Sequence, residues 1–179
     1  MRKSAVAAVT TILAGFSAAV VALPAEATTT SGTACSTNWG TGLRQRDQLV
    51  QMRVRAVRVG MHPCFDRLVI DLGTGRAPGF NVRYVAAFHA DGSGELVPTS
   101  GKAKLLVIVE APAASAFNAS NRRIANVAGF AVFRQVTGLG SFEGITSMGI
   151  GLAAKTPFRL LEFRNSARKF ELVIDVAHH

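Results

Sequence analysis

Polar and apolar residues alternate with a period of two along most of the chain beyond residue 48. Early in this region Arg53 and Arg55 alternate with apolar residues, and the alternation shifts by one position at Ala56. A shift of this kind indicates a β-bulge, in which one strand carries an extra residue. We therefore predict a first strand over 49–59, with Arg53 and Arg55 on one face.

Further strand-like segments follow, and most are separated by turns that contain Gly, Pro or Asn. They lie at 68–72, 80–85, 95–97, 102–111, 124–127, 130–137, 145–153, 158–164 and 170–177. The Gly-rich stretch Gly138–Gly144 is predicted to be a loop. The sequence therefore predicts an all-β protein, an antiparallel β-sandwich of about nine short strands with no long helix after the N-terminal segment; a closed barrel stays open as the alternative.

The first 27 residues form a separate segment with the layout of a secretory signal peptide. Arg2 and Lys3 precede an uncharged stretch at 5–23, and small residues occupy both positions that a signal peptidase reads before its cleavage point. An uncleaved membrane anchor is the alternative, but 11 of the 19 residues in the stretch are the weakly apolar Ala, Gly, Ser or Thr. We expect cleavage after Ala27, a secreted or extracytoplasmic mature chain, and no transmembrane segment after cleavage.

Residues 28–48 are rich in Thr, Ser, Gly and charged side chains, and we expect this polar leader to be mobile except near Cys35. Cys35 and Cys64 are the two cysteines of the chain. In an oxidising compartment an even pair forms a disulfide, whereas a metal site or a nucleophilic thiol lacks partners at suitable spacing. The predicted Cys35–Cys64 bond would tether the leader to a β-sandwich domain at 49–179.

The chain has 20 Lys and Arg residues against 11 Asp and Glu, so its formal net charge is +9. Apolar residues make up 49% of it, which excludes a disordered tail and permits a single buried core. A basic exported protein would meet the carboxylates and phosphates of the cell envelope. Nucleic acid is excluded as a partner because the compartment is wrong and the sequence has no recognition element.

Four residues are candidates for ligand binding. Arg53 and Arg55 could hold carboxylates or phosphates in bidentate fashion, although charges on an edge strand also prevent edge-to-edge pairing. Phe142 and Glu143 lie in the predicted glycine loop, where a sandwich would present a site, but a turn that needs glycine explains the same residues.

The charges of Phe65–Arg67 are expected to face solvent, with a local ion pair or part of a site as the alternatives. The four histidines are too scattered for a metal site, so no metal, cofactor or catalytic residue is predicted.

Several stretches together resemble one known family. They are His62-Pro63-Cys64-Phe65-Asp66-Arg67-Leu68-Val69-Ile70-Asp71, Pro78-Gly79-Phe80-Asn81-Val82-Arg83-Tyr84-Val85, Gly140-Ser141-Phe142-Glu143-Gly144 and Leu172-Val173-Ile174-Asp175-Val176-Ala177-His178. This combination is similar to the AMIN-like domain of secreted actinobacterial proteins, from about Val54 to His178. The family is named for the AMIN domain, a β-sandwich module that helps periplasmic amidases and secretins attach to the cell wall. The resemblance implies a β-sandwich that binds to, or is positioned on, the cell envelope.

These observations lead to one principal hypothesis and two alternatives. The principal hypothesis is an exported, non-catalytic module that binds peptidoglycan, an anionic wall polymer or an envelope protein, in an undetermined oligomeric state. The first alternative is a carrier or inhibitor that holds an apolar ligand between the two sheets, or a protein partner, since glycines within 145–152 would leave space in a Phe-rich chain. A hydrolase is the weakest alternative, because Glu143 has no designated acidic partner.

Overall fold

Two antiparallel sheets packed face to face make up the described part of the chain. The structure is a computed structural model, and it describes residues 35–115 and 117–179. The predicted signal peptide at 1–27 and the leader residues 28–34 lie outside the described residues. The strands are β1 (Arg44–Arg46), β2 (Ala56–Met61), β3 (Phe65–Asp71), β4 (Phe80–Val85), β5 (Ala103–Val109), β6 (Phe133–Phe142), β7 (Ile145–Leu152), β8 (Phe158–Arg164) and β9 (Phe170–Ala177). The described residues contain no helix, and hence none that could cross a membrane, so the predicted all-β antiparallel sandwich is confirmed.

The five-stranded sheet has the order β1-β4-β5-β7-β6, and the four-stranded sheet has the order β2-β3-β9-β8. Alternate residues of each strand point between the sheets, where the predicted apolar positions are buried. Residues of both sheets with no exposed surface form this core, among them Leu68, Ile70, Leu105, Val107, Ile150, Leu172 and Ile174. The buried residues of these strands thus recur with the period of two that the sequence shows.

The segment 47–55 crosses from one sheet to the other at one end of the sandwich. The Val54 amide donates to the carbonyl oxygen of Pro112 at 2.9 Å, beside the five-stranded sheet. The Arg55 amide donates to the carbonyl oxygen of Asp71 at 2.8 Å, in the four-stranded sheet. The predicted first strand is therefore wrong in its first half, because β2 begins only after the crossing. The shift in alternation marks this change of sheet and not a β-bulge.

The leader has a defined structure from Cys35 onward, so the expectation of a mobile linker is wrong for this part. β1 pairs with the start of β4, and Cys35 and Cys64 form the predicted disulfide. The Trp39 ring lies edge-on to Phe65, with centroids 5.7 Å apart, and 4.3 Å from the guanidinium carbon of Arg159. The polar sequence of β1 was misleading because backbone pairing, more than side-chain burial, holds this strand. The domain boundary at residue 49 stays a prediction.

Two of the predicted strands are reduced to isolated bridges. Residues 95–97 supply the bridge between His89 and Leu96, and residues 124–127 supply the bridge between Ala125 and Val136. The additional strand β1, which was not predicted, brings the number of strands to nine, in agreement with the predicted number.

The segment 86–101 covers the outer face of the five-stranded sheet with a second, smaller apolar cluster. The buried members of this cluster are Phe88, Val97 and Leu139. A Cβ added at Gly149 of β7 would lie 2.5 Å from the Phe88 ring, so this glycine is the floor on which the ring packs. Gly149 and Gly151 thus face outward, where the chain itself covers them, and they leave no space between the two sheets, where the carrier alternative placed its ligand.

Candidate anion-binding surface

The strand ends bring four connecting segments to the same end of the sandwich. They are the crossing segment 47–55, the connection 72–79, the β6–β7 turn and the β8–β9 turn. Backbone bonds tie them together: the Gly79 amide donates to the Gln48 carbonyl at 2.7 Å, and the first amide of β9 donates to the Gly73 carbonyl at 3.0 Å. We call this region the crossing end. All four predicted binding residues lie there.

Arg53 is linked to the β6–β7 hairpin through a single residue. Its Nη1 donates to the carbonyl oxygen of Ala113 at 3.2 Å, and the Ala113 amide donates to Oγ of Ser141 at 3.0 Å. Phe142 follows Ser141, and its side chain is 55% exposed. Glu143 is also exposed. The structure therefore brings Arg53, Phe142 and Glu143 to one side of the crossing end.

The predicted glycine loop is largely a strand that ends in a tight turn. Residues 138–142 belong to β6, with a register shift between Gly138 and Gly140. The turn consists of Glu143 and Gly144, whose φ angles are 49° and 83°. Both angles lie in the left-handed region, as a two-residue hairpin turn of type I′ requires. The loop prediction is therefore wrong for most of the stretch, and the glycine requirement is met at Gly144.

Arg55 lies apart from Arg53, although the two positions alternate with a buried residue. Its guanidinium lies beside Gly73 and lines a recess of about 360 Å³ together with Arg58 and Lys169. The two predicted arginines diverge because the backbone changes sheet between them. They do not form a row of guanidinium groups on one strand.

The acidic residues of this recess are already engaged. Arg58 donates to Asp71 through Nε and Nη2, both at 2.7 Å, and its Nη2 lies 3.3 Å from Glu171. The hydrogen bonds to Asp71 are the main cause that raises the pKa of the Arg58 guanidinium. The Asn165 side chain donates to Glu171 at 3.2 Å. The other cations of the recess are thus left to face solvent.

Two exposed cations, Arg55 and Lys169, line this recess. Three more are exposed on the two segments that meet beside it, Arg76 at 72–79 and Arg164 and Arg168 at 164–169, and Arg76 lines a neighbouring recess with Thr74 and Gly75. Arg164 connects two of the segments that carry them. Its Nη2 donates to the Gly75 carbonyl at 2.7 Å, and its Nη1 donates to the carbonyl of Arg168 at 3.4 Å. Among the described residues, none of the five forms an ion pair with an acidic side chain. We call these five residues the basic patch.

Sequence reasoning singled out one member of the basic patch, Arg55. The other four lie in two turns that are far apart along the chain. The stretch 164–169, with three cations around a predicted turn, was the only local signal that could have found them. The patch forms because the β3–β4 connection meets the β8–β9 turn, and that contact has no signature in either segment.

The basic patch has the chemistry of reversible anion binding. Guanidinium groups bind carboxylates and phosphates through two parallel hydrogen bonds, and Lys169 adds a compact charge. Across residues 35–115 and 117–179, no group of three or more His, Cys, Asp or Glu side chains could hold a metal ion. The arrangement fits a ligand that carries several acidic groups.

A comparison with family profiles identifies the family of this chain. The profile of the AMIN-like domain matches residues 52–178, from the crossing segment to the end of β9. The chain belongs to the AMIN-like domain family. The matched part of this AMIN-like domain contains the whole basic patch and all four predicted binding residues. Searches among curated proteins and among solved structures each found no significant match.

Membership of the AMIN-like family points to a non-catalytic module associated with the cell envelope. The Cys35–Cys64 disulfide agrees with an extracytoplasmic location, because disulfides persist in oxidising compartments. Because Cys35 lies outside the matched region, the disulfide supports an extracytoplasmic location partly independently of the family match.

Proposed function

We propose that this AMIN-like domain is an exported, non-catalytic module that binds an anionic polymer of the cell envelope through the basic patch. Peptidoglycan and an anionic wall polymer are the ligands with suitable acidic groups. One observation carries the proposal: five exposed cations with no acidic partner in the described chain lie next to a recess whose carboxylates are engaged. The family membership supports the location, and the patch supplies the binding chemistry.

The exposure of the basic patch favours a polymer over a small anion. One exposed ion pair contributes only about 0 to 1 kcal/mol, because water and salt screen it. Several such contacts to one polymer reinforce each other, since each later contact forms within an existing complex. A polymer with repeated carboxylates or phosphates is therefore the expected ligand, and acetate or inorganic phosphate should bind weakly.

The predicted binding residues differ in their expected contributions. Arg55 lines the recess with Lys169 and lies within the basic patch. Arg53 and Phe142 belong to the hairpin side of the crossing end, where an exposed aromatic ring adds an apolar contact. Glu143 would repel an anionic chain and limit its path on that side. We therefore expect Arg55→Ala to weaken binding more than Arg53→Ala.

Co-sedimentation with isolated cell wall tests this function. The wild-type protein should pellet with the wall at low ionic strength and remain in the supernatant at high ionic strength, because salt shortens the range of the attraction. The double variant Arg55→Ala/Lys169→Ala loses two contacts of about 0.5 to 1 kcal/mol each, so its Kd should rise about fivefold to thirtyfold.

A control variant with the same change in net charge separates the patch from the overall charge. Lys102 and Lys155 suit this purpose, since the Lys102 amide bonds the last residue of β7 and Lys155 lies near Tyr84, both at the opposite end of the sandwich. Lys102→Ala/Lys155→Ala should pellet like the wild type. Equal loss in both double variants, or no pelleting of the wild type at low salt, would contradict the proposal.

A further inference from the structure

A groove on the outer face of the five-stranded sheet carries opposite charges on its two sides. It has a volume of about 290 Å³ and lies between the segment 86–101 and the strands β4, β5 and β7. Asp91 and His89 line it from the covering segment, and Arg83 lines it from β4. None of these residues belongs to the basic patch.

The Asp91 side of the groove presents hydrogen-bond acceptors. The Cβ atom of Asp91 lies 2.9 Å from the position that a Cβ would take at Gly140, so this residue sits over β6. Its Oδ2 is buried and has no hydrogen-bond partner among the described residues. Nδ1 of His89 lies 2.9 Å from the Gly94 carbonyl and must donate to it, which leaves Nε2 of the neutral ring as an acceptor. Asp91 lines the groove and forms no ion pair among the described residues, so this side fits an ammonium group.

The Arg83 side presents donors. The Arg83 guanidinium donates through Nη1 to Oδ1 of Asn81, and its other N–H groups bond nothing within the described chain. Arg83 belongs to β4, and Asp91 lies over β6. Because β5 and β7 lie between these two strands, at about 4.8 Å per step, the two residues are about 14 Å apart across the sheet. Arg83 and Asp91 form no ion pair, although both are described. A carboxylate near Arg83 would complete the pairing on this side.

The floor between the two charges is largely apolar, with Leu106 and Ile108 of β5 beside Ser147 of β7. We infer that the groove binds a short zwitterionic peptide with an aliphatic side chain. Asp91 and His89 hold its amino terminus, Arg83 holds its carboxylate, and its side chain packs on β5. An extended dipeptide spans about 7 Å, about half of this separation, so the Arg83 and Asp91 side chains must reach it from either side. This site is separate from the proposed polymer-binding surface.

Titration with the dipeptide alanyl-leucine, followed by calorimetry or by NMR shifts, tests the inference. N-acetyl-alanyl-leucine lacks the ammonium group, and alanyl-leucinamide lacks the carboxylate. Each lost charged hydrogen bond should weaken binding about tenfold or more. The inference is overturned if alanyl-leucine gives no saturable binding at millimolar concentration, or if the blocked peptides bind as well as the free one.

Variants assign the two sides of the groove. Asp91→Asn should remove the preference for the free amino terminus and retain the preference for the free carboxylate. Arg83→Gln should do the reverse. Glu95→Gln changes an exposed acid of the same covering segment outside the groove and should leave both preferences intact. Thermal unfolding verifies that each variant is folded, and unchanged preferences in a folded Asp91→Asn protein would contradict the site.

Discussion

Single charged residues of the four-stranded sheet are held by partners that lie far away in the sequence. Asp66 is buried, and its Oδ2 accepts hydrogen bonds from the amides of Val132 and Phe133 at 2.7 and 3.0 Å. Arg67 donates twice to Asp175, at 2.6 and 2.9 Å. The expectation that these charges face solvent is wrong for Asp66, whereas Arg67 keeps about 25% of its side chain exposed. The sequence did not reveal their partners, which lie 66 and 108 residues away. The two bonds to Asp66 satisfy the amides of Val132 and Phe133 at the start of β6.

Tyr84, the single tyrosine, is expected to make the stability of the fold depend on pH in the alkaline range. Its hydroxyl donates to the Thr156 carbonyl at 2.7 Å and accepts from the Thr156 amide at 3.1 Å. Burial is the main cause that raises the pKa of Tyr84 above its ordinary value near 10. As the pH rises, the unfolded chain therefore loses the Tyr84 hydroxyl proton before the folded chain does. The contribution of this hydroxyl to the free energy of unfolding is complete below about pH 10 and is lost as the pH rises towards the folded pKa.

Denaturant unfolding of Tyr84→Phe at several pH values tests this prediction. The variant should be less stable by about 1 to 3 kcal/mol at neutral pH, because the Thr156 amide loses its partner. The difference from the wild type should stay constant up to about pH 10 and shrink above it. A difference that is the same at about pH 8 and pH 11 would contradict the shifted titration.

At the scale of elements, β7 is the strand on which the segment 86–101 packs. It lies between β5 and β6, and its inner residues Met148, Ile150 and Leu152 belong to the core. Its outer positions at Gly149 and Gly151 have no side chain, which lets the segment 86–101 pack directly on the sheet. The glycines of this strand thus serve the packing of the chain itself.

Gly149→Ala should destabilise the fold, since the new methyl group would lie 2.5 Å from the buried Phe88 ring. Overpacking of this kind costs about 1 to 3 kcal/mol. Gly42→Ala is the matched control, because Gly42 is exposed and a Cβ there would lie 3.6 Å from its nearest atom, in the flexible guanidinium of Arg44. Chemical denaturation should show the loss for Gly149→Ala and a change within about 0.5 kcal/mol for the control. If Gly149→Ala is as stable as the wild type, the space above β7 is not filled as described.

For the whole molecule, the disulfide joins the N-terminal segment to the sandwich. Cys35 and Cys64 are 29 positions apart, and β1 lies within the closed loop. Trp39 lies in the same loop and contacts Phe65 and Arg159 of the four-stranded sheet. The loop therefore connects a strand of one sheet to the outer face of the other.

Removal of the disulfide should lower the free energy of unfolding of the whole domain. For a loop of 29 positions, the chain-entropy account predicts a loss of about 3.5 kcal/mol in Cys35→Ser/Cys64→Ser. Urea unfolding followed by fluorescence of Trp39, the single tryptophan, measures the loss. Wild-type protein treated with a reductant is the matched control and should unfold with the double variant. Coincident unfolding of the oxidised wild type and the double variant would show that the bond does not stabilise the fold.

Local periodicity was enough to predict the sandwich class and the strands β3, β4, β5, β7, β8 and β9, with small differences at their ends. These properties depend on residues that are close in sequence, because side chains alternate along a strand whatever it pairs with. The disulfide also followed from the sequence, since the chain has two cysteines.

Tertiary structure alone decided where the chain changes sheet, which acids are buried and which cations meet. β1 has a polar sequence and owes its place to pairing with β4. Arg53 and Arg55 diverge because the chain changes sheet between Val54 and Arg55. The basic patch and the Arg83–Asp91 groove join residues from separate turns and strands. Such contacts depend on how distant segments pack, and packing leaves no periodic signal in the segments themselves.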